Sequence, residues 1–356
     1  MKQAEPGLQV RGIGGEELSR AGMELLYNAR DLSVVGILEV AAHAPHIVRA
    51  YRAVKRELAG PSPPALVLLI DYPDFNLRIA RLAKKHSVPV LYYISPQIWA
   101  WRRGRAKKIS RTVDTMAVIF PFEADLYRKE GLDVHFVGHP LLDTEPRKMP
   151  RSDALDFLGL EDTWPVIGIL PGSRPGEIQR LLPAMLGAAG RIRTRYPDAR
   201  FVLPLAQGLD TVAVNSTIRR AGVPVQVVSR SFYQALSACD LALVASGTAT
   251  LETALMETPM IILYRISLPT YLIGRMLIRV PCIGLANIVA GKKVVPELIQ
   301  ADVTPEKIAG EALSMLADPK RMQAIRSELA AVRASLGDRG AAERVARLAC
   351  SKLRGI

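Results

Sequence analysis

Cysteine is scarce in this sequence: there are three, Cys239, Cys282 and Cys350, an odd number set far apart. Such a set does not read as a disulfide framework, and a reducing cytoplasm is the expected compartment. Long apolar runs are also missing. The longest, at residues 64–70 and 259–263, fall far short of the roughly 20 residues that a membrane-spanning helix needs. The stretch Met1-Lys2-Gln3-Ala4-Glu5-Pro6-Gly7 lacks the apolar core of a secretory signal. No tandem repeat or low-complexity tract occurs. No His/Cys/Asp/Glu spacing resembles a metal site, and Asp71-Tyr72-Pro73-Asp74 is not a convincing metal-gripping aspartate pair, so metal-independent chemistry without a cofactor is expected. A serine nucleophile elbow and a Cys/His pair are missing too.

What is present is an ordinary globular composition, 49% hydrophobic and 23% charged over 356 residues, a length that suggests two domains. The formal charge of +13 calls for an acidic partner: a phosphorylated substrate, anionic lipid headgroups or nucleic acid. No module of a nucleic-acid reader accompanies that charge, which argues against nucleic acid as the partner. Basic residues are densest at 102–108 and 265–279.

Short runs rich in Val, Ile and Leu alternate with amphipathic segments of helical length, the pattern of parallel strands joined by crossover helices. Strands are expected at 65–71, 89–94, 115–119, 134–137, 166–170, 200–205, 225–228, 241–245 and 260–264. A polar, proline-bearing stretch at 143–150 reads as a linker. An α/β protein of two doubly wound parallel-sheet lobes follows, with residues 1–145 and 151–305 forming the lobes and ligands at the carboxyl ends of the strands in a cleft between them. Residues 306–356 read as a helical segment bracing one lobe against the other.

Four segments carry the chemistry. Leu170-Pro171-Gly172-Ser173-Arg174 lies between a strand and a long helix, where Gly172 and Ser173 offer backbone N–H groups and Arg174 a fork suited to a pyrophosphate; the plainer reading is a tight turn with a solvated arginine. Ser246-Gly247-Thr248-Ala249-Thr250-Leu251-Glu252 repeats the arrangement, with Glu252 able to accept from ribose hydroxyls and helix capping by Ser246 or Thr248 as the compatible alternative. Asp71 ends the first lobe's strand, where its carboxylate would serve as general base toward a sugar hydroxyl. Against that stands helix capping, for which Asp74 is better placed. Ser95-Pro96-Gln97-Ile98-Trp99-Ala100-Trp101-Arg102 holds two of the three tryptophans; Ser95, Gln97, Trp99, Trp101 and Arg102 would meet an acidic acceptor, while core packing is the ordinary fate of such rings. His139, in Val137-Gly138-His139-Pro140, is a further cleft candidate with a structural role as its alternative.

These motifs, together with Asn287-Ile288-Val289-Ala290-Gly291, resemble in type and order those of the lipid-A-disaccharide synthases, from about Gly7 onward. The resemblance implies a GT-B fold and an inverting transfer of diacylglucosamine from UDP to the 6-hydroxyl of diacylglucosamine 1-phosphate. It makes Asp71 the essential acidic residue, acting as the base, gives the UDP to Arg174 and the 246–252 loop, and puts Asn287 on the donor side. Two acylated substrates imply an anionic membrane surface on the cytoplasmic face, and residues 267–279 mix apolar and basic side chains as an interfacial helix would, a core helix with snorkelling arginines being the alternative. A homo-oligomer is left open. Such proteins ordinarily begin with an apolar strand and an Ala-Gly-Glu-x-Ser-Gly-Asp loop; this chain is expected to lack that unit and to start near the second strand, at residues 8–13. Other readings are another UDP-sugar enzyme of the same fold, such as a cell-wall glycosyltransferase or an epimerase, and an inactive nucleotide-sugar or lipid binder.

Overall fold

A computed structural model of the chain describes residues 1, 5–32, 37–101, 103–144, 148–206, 208–229, 231–267, 271 and 281–355, of the backbone alone at 37–43, 100, 101 and 103. The chain divides into two compact units, residues 1–143 with 338–356, and residues 144–337.

The first unit opens with a parallel pair, β1 (Arg11–Gly14) and β2 (Glu24–Asn28). Its main sheet is β3 (Val67–Ile70), β4 (Val90–Tyr93), β5 (Thr115–Val118) and β6 (Asp133–Phe136), all parallel and adjacent in chain order. β4 and β5 are buried along their whole length, which is why they read as unbroken apolar runs. Helix Pro73–Lys85 returns the chain from β3 to β4 and sets Phe75, Ile79 and Leu82 against Tyr92 and Met116.

The second unit carries six parallel strands: β7 (Val166–Leu170), β8 (Arg200–Leu205), β9 (Gln226–Ser229), β10 (Leu241–Ala245), β11 (Met260–Tyr264) and β12 (Glu297–Ile299). They lie in the order β12-β11-β10-β7-β8-β9, so winding proceeds outward in one direction from β7 and in the other from β10. Behind β7 runs helix Pro175–Arg195, which buries Leu181, Leu182, Met185 and Ile192. At Gly187 it has no side chain to hold off Pro305, and helix Pro305–Leu316 packs there; a Cβ at Gly187 would fall 2.8 Å from the proline ring.

β2 and β12 were not among the expected strands. Both are short and begin with glutamate, and the three residues of β12 form an edge, too brief to leave an alternation in the sequence. The helical tail expected over 306–356 divides at residue 338: helices Pro305–Leu316 and Pro319–Ser335 belong to the second unit, helix Ala341–Leu353 to the first. Asp143 holds that last helix by its amino terminus, accepting from the amides of Gly340, Ala341 and Ala342, the last two at 3.2 and 3.1 Å. Partial burial acts to raise the Asp143 pKa, but these three donors and Arg344 hold it below the usual carboxylate range. Arg344 Nε donates to the Val137 carbonyl (2.8 Å) and Lys352 pairs with Asp133 (3.0 Å). No helix among the described residues is long and apolar enough to cross a membrane, and residues 268–270 and 272–279 of the expected interfacial segment lie outside the description.

An Asp143→Ala variant is expected to lose about 1–2 kcal/mol, the value of a good amino-terminal cap. Chemical denaturation would read that loss, and an unchanged midpoint would deny the cap its role.

Candidate functional site

β7 and β10 are neighbours at the point where the strand order reverses, and their connections diverge to opposite faces of the sheet. A crevice at their carboxyl ends is the geometric consequence. It holds a cavity of about 440 Å³, lined by the loop after β7 (Gly172, Ser173, Arg174), the loop after β10 (Ser246, Gly247, Thr248) and Glu252. Leu170, Pro204, Leu205 and Phe232 give it an apolar wall.

The two loops end in helices whose first turns carry no side-chain cap. Pro175 starts helix Pro175–Arg195 with Arg174 as its capping residue, and helix Thr248–Leu255 starts after Gly247. The capping alternative for Ser246 and Thr248 is not realised: the Ser246 hydroxyl donates to the Ile283 carbonyl instead (3.1 Å). First-turn amides left without a cap are the donors an anion seeks. In this state a carboxylate of the chain itself takes part of that offer. Glu177 accepts from the Ser173 amide (3.1 Å) and from the Arg174 guanidinium (3.3 Å). Gly172, at φ 111°, leaves the room for it; a Cβ there would sit 2.3 Å from Glu177 Oε2. Deeper in the cavity wall, Glu252 accepts from the Tyr233 hydroxyl (3.0 Å), and burial raises its pKa against the lowering effect of that bond.

Two expected donor-side residues stay out of the cavity. Thr250 is fully buried and turns its hydroxyl back onto the Gly247 carbonyl (2.8 Å). Asn287, also fully buried, donates to the Val295 carbonyl and to Glu297 (2.9 Å each) and accepts from the amides of Val294 and Val295. Its amide is thereby committed to holding the 283–297 segment together. Glu177, Tyr233 and Phe232 were missed as site residues by the sequence reading: Glu177 had a signal, four residues past Ser173 on the first helical turn, whereas Phe232 and Tyr233 belong to no loop motif.

In the first unit Asp71 ends β3 with an exposed carboxylate that has no hydrogen-bond or ion-pair partner among the described residues. Neither it nor Asp74 caps the next helix: the capping residue is Tyr72, with no side-chain bond, and Asp74 lies in the first turn, where its charge suits the helix dipole. The segment expected to face an acceptor is turned largely inward. Ser95 and Trp99 are buried and both donate to Glu123 Oε1, at 2.7 and 3.1 Å. The Phe120 amide donates to Oε2 (3.3 Å). His139 is buried beside Phe120, accepts the Leu141 amide at Nδ1 (3.2 Å), and is pushed by burial down to about 4, so its ring is neutral at physiological pH. Among the described side chains of that group Gln97 is the exposed one; Arg102 and the Trp101 side chain lie outside the description.

Burial lifts Glu123 to about 7 despite its three donors. A buried acid raised this way stabilises the fold fully below about pH 4.5 and loses that contribution as pH rises through 7, a swing of about 3 kcal/mol. Glu123→Gln is expected to flatten the stability profile over that interval; a slope that survives the substitution assigns it elsewhere. For the cavity, Gly172→Ala should expel Glu177 from its nest and distort the loop, lowering affinity for UDP at least tenfold by calorimetry while thermal unfolding stays cooperative. Unchanged affinity would show that the loop shape is irrelevant to the anion.

A family model described as lipid-A-disaccharide synthetase matches residues 1–348. The chain is similar to the lipid-A-disaccharide synthase of Syntrophus aciditrophicus, 49% identical over 99% of this chain and 92% of that protein. It is likewise similar to that of Nitrosococcus oceani, 42% identical over 100% and 91%. Among solved structures, a putative UDP-N-acetylglucosamine 2-epimerase from Listeria monocytogenes aligns at TM-score 0.61 and 14% identity over 98% of each chain. MurG from Acinetobacter baumannii aligns at TM-score 0.55 and 14% identity over 96% of this chain and 98% of that one, and at such identity the likeness concerns the fold alone. With the family model spanning nearly the whole sequence, the chain belongs to the lipid-A-disaccharide synthetase family.

Proposed function

We propose that this glycosyltransferase moves 2,3-diacylglucosamine from its UDP donor to the 6-hydroxyl of 2,3-diacylglucosamine 1-phosphate, with inversion, releasing UDP and the disaccharide 1-phosphate. The observation that carries the reading is the pair of uncapped helix termini, with Arg174 between them and the cavity, at the strand-order reversal. Asp71 takes the proton of the acceptor hydroxyl as its oxygen attacks the donor's anomeric carbon. The bond from that carbon to the β-phosphate oxygen breaks, and its electron pair leaves with UDP. Arg174 and the loop amides stabilise the charge that builds on the pyrophosphate. Their donors gain most where charge appears in the transition state, and Glu177 gives up its place to the stronger anion. Glu252, held by Tyr233, accepts from the ribose hydroxyls, and Phe232 with Leu205 offers the uracil an apolar wall.

Ile70 and Tyr72, both exposed beside Asp71, suit an acylated acceptor. The substrates' acyl chains and the charge of +13 support work at an anionic surface, the inner face of the cytoplasmic membrane.

Asp71→Asn is expected to lower UDP release by roughly 10²–10⁴-fold, the contribution of a positioned base. UDP affinity should be preserved, because Asp71 does not line the cavity. A variant that retains full turnover overturns the assignment of the base; wild-type protein that releases no UDP from the two acyl sugars overturns the reaction.

A further inference from the structure

Asp71 and Tyr72 are consecutive non-glycine residues in the left-handed region, at φ 48° and 44°. Non-glycine residues are disfavoured in that region, so a consecutive pair persists only where its surroundings over-determine it. The bonds that do so all fall on the backbone. The Asp71 amide donates to the Tyr93 carbonyl (3.0 Å), carrying the β3–β4 ladder one residue past the strand. The Asp71 carbonyl accepts twice, from the Tyr92 hydroxyl at 2.6 Å and from Asn76 Nδ2 at 2.8 Å. Asn76 Nδ2 also donates to the Ile70 carbonyl (3.0 Å). Tyr92 is fully buried under the sheet, and Asn76 stands on the first turn of helix Pro73–Lys85, where its amide nitrogen bonds the Tyr72 carbonyl (3.0 Å). Tyr92 and Asn76 thus share one acceptor, and one point of the backbone is gripped from the core and from the helix at once.

The Asp71 carboxylate, by contrast, is exposed and unengaged among the described residues. Two polar groups are therefore used to fix the main chain on either side of an acid while the acid itself is left to a ligand. In an ordinary extended conformation the Cβ of residue 71 would alternate with the pleat of β3; the left-handed turn re-aims it.

We propose that Asn76 and Tyr92 are positioning residues for the transfer, locking the left-handed turn at 71–72 so that the Asp71 carboxylate is presented at a fixed angle to the acceptor hydroxyl. This rests on the reading of Asp71 as the base. Neither residue touches substrate. Each acts through the Asp71 carbonyl.

The test uses Asn76→Ala, Tyr92→Phe and the double variant of the full chain, with Asp71→Asn alongside. Expected is a fall in kcat of tenfold or more in each single variant, with KM for both acyl sugars within threefold of wild type and UDP affinity by calorimetry unchanged. The double variant should lose less than the product of the two single losses, because both act on one carbonyl. Tyr92→Phe removes a single oxygen and keeps the ring in the core, so it tests the idea even if Asn76→Ala folds poorly. A merely structural role would lower the unfolding midpoint and leave kcat per folded molecule untouched, and that result overturns the proposal. If Asp71→Asn is inactive while both single variants turn over as wild type, the positioning role fails and the base stands. If Asp71→Asn is itself active, it is the base assignment that fails.

Discussion

The reversal of strand order between β7 and β10 is the constraint on which the second unit's chemistry depends. Two adjacent parallel strands whose connections leave in opposite directions must open a gap at their carboxyl ends, and no loop can be drawn across it from either side. Whatever occupies the gap meets two helix amino termini at once. The apolar strands behind it, buried at every residue, supply the rigidity that keeps those termini from relaxing toward one another. The donors that face the gap are set by backbone placement, and Arg174 adds an exposed guanidinium paired with Glu177. Glu177 lies on those same donors, accepting from the Ser173 amide and the Arg174 guanidinium.

The first unit applies the same economy to geometry rather than charge. Two neighbouring strands, β3 and β4, both end in left-handed residues, Asp71 and Ile94. Sharp exits of this kind turn the chain away from the sheet and leave a side chain standing at its rim. Beneath them, Glu123 gathers the Ser95 hydroxyl, the Trp99 indole and the Phe120 amide into one buried knot. Ser95 and Trp99 are thereby spent on that knot, and Gln97 is the exposed residue among the described side chains of the segment.

Much of this was legible in the sequence, and the rest was not for identifiable reasons. The nine strands read from apolar runs recur within about two residues, because central parallel strands are apolar on both faces and leave an unbroken signal. The two glycine loops were legible because a turn with positive φ favours glycine, and Gly172 and Gly247 both take such a conformation. Thr250 and Asn287 looked like ligands for a different reason: a polar residue in a motif declares that it needs a partner, without saying whether the partner is a ligand or the main chain. Asn287 had a clue in its apolar neighbours Leu285, Ala286 and Ile288, which pointed to burial. Trp99 and His139 carried the same ambiguity and resolved it inward. Phe232 lines the cavity, and Tyr233 bonds Glu252 of its wall, only because β8 lies beside β7 and β9 beside β8, a relation of strand order that no local pattern encodes.

The last helix, tied by Asp143 and Arg344 to the unit that begins the chain, has a consequence for synthesis. Residues 144–337 form a continuous stretch and can close their core as soon as they have left the ribosome. The first unit cannot: the helix that bonds Asp143, Val137 and Asp133 is supplied by residues 338–356, which follow the whole second unit. All the residues of the second unit are thus made before the last helix of the first. Through that interval the half-finished first unit keeps a surface uncovered, the kind of transient exposure that chaperones attend.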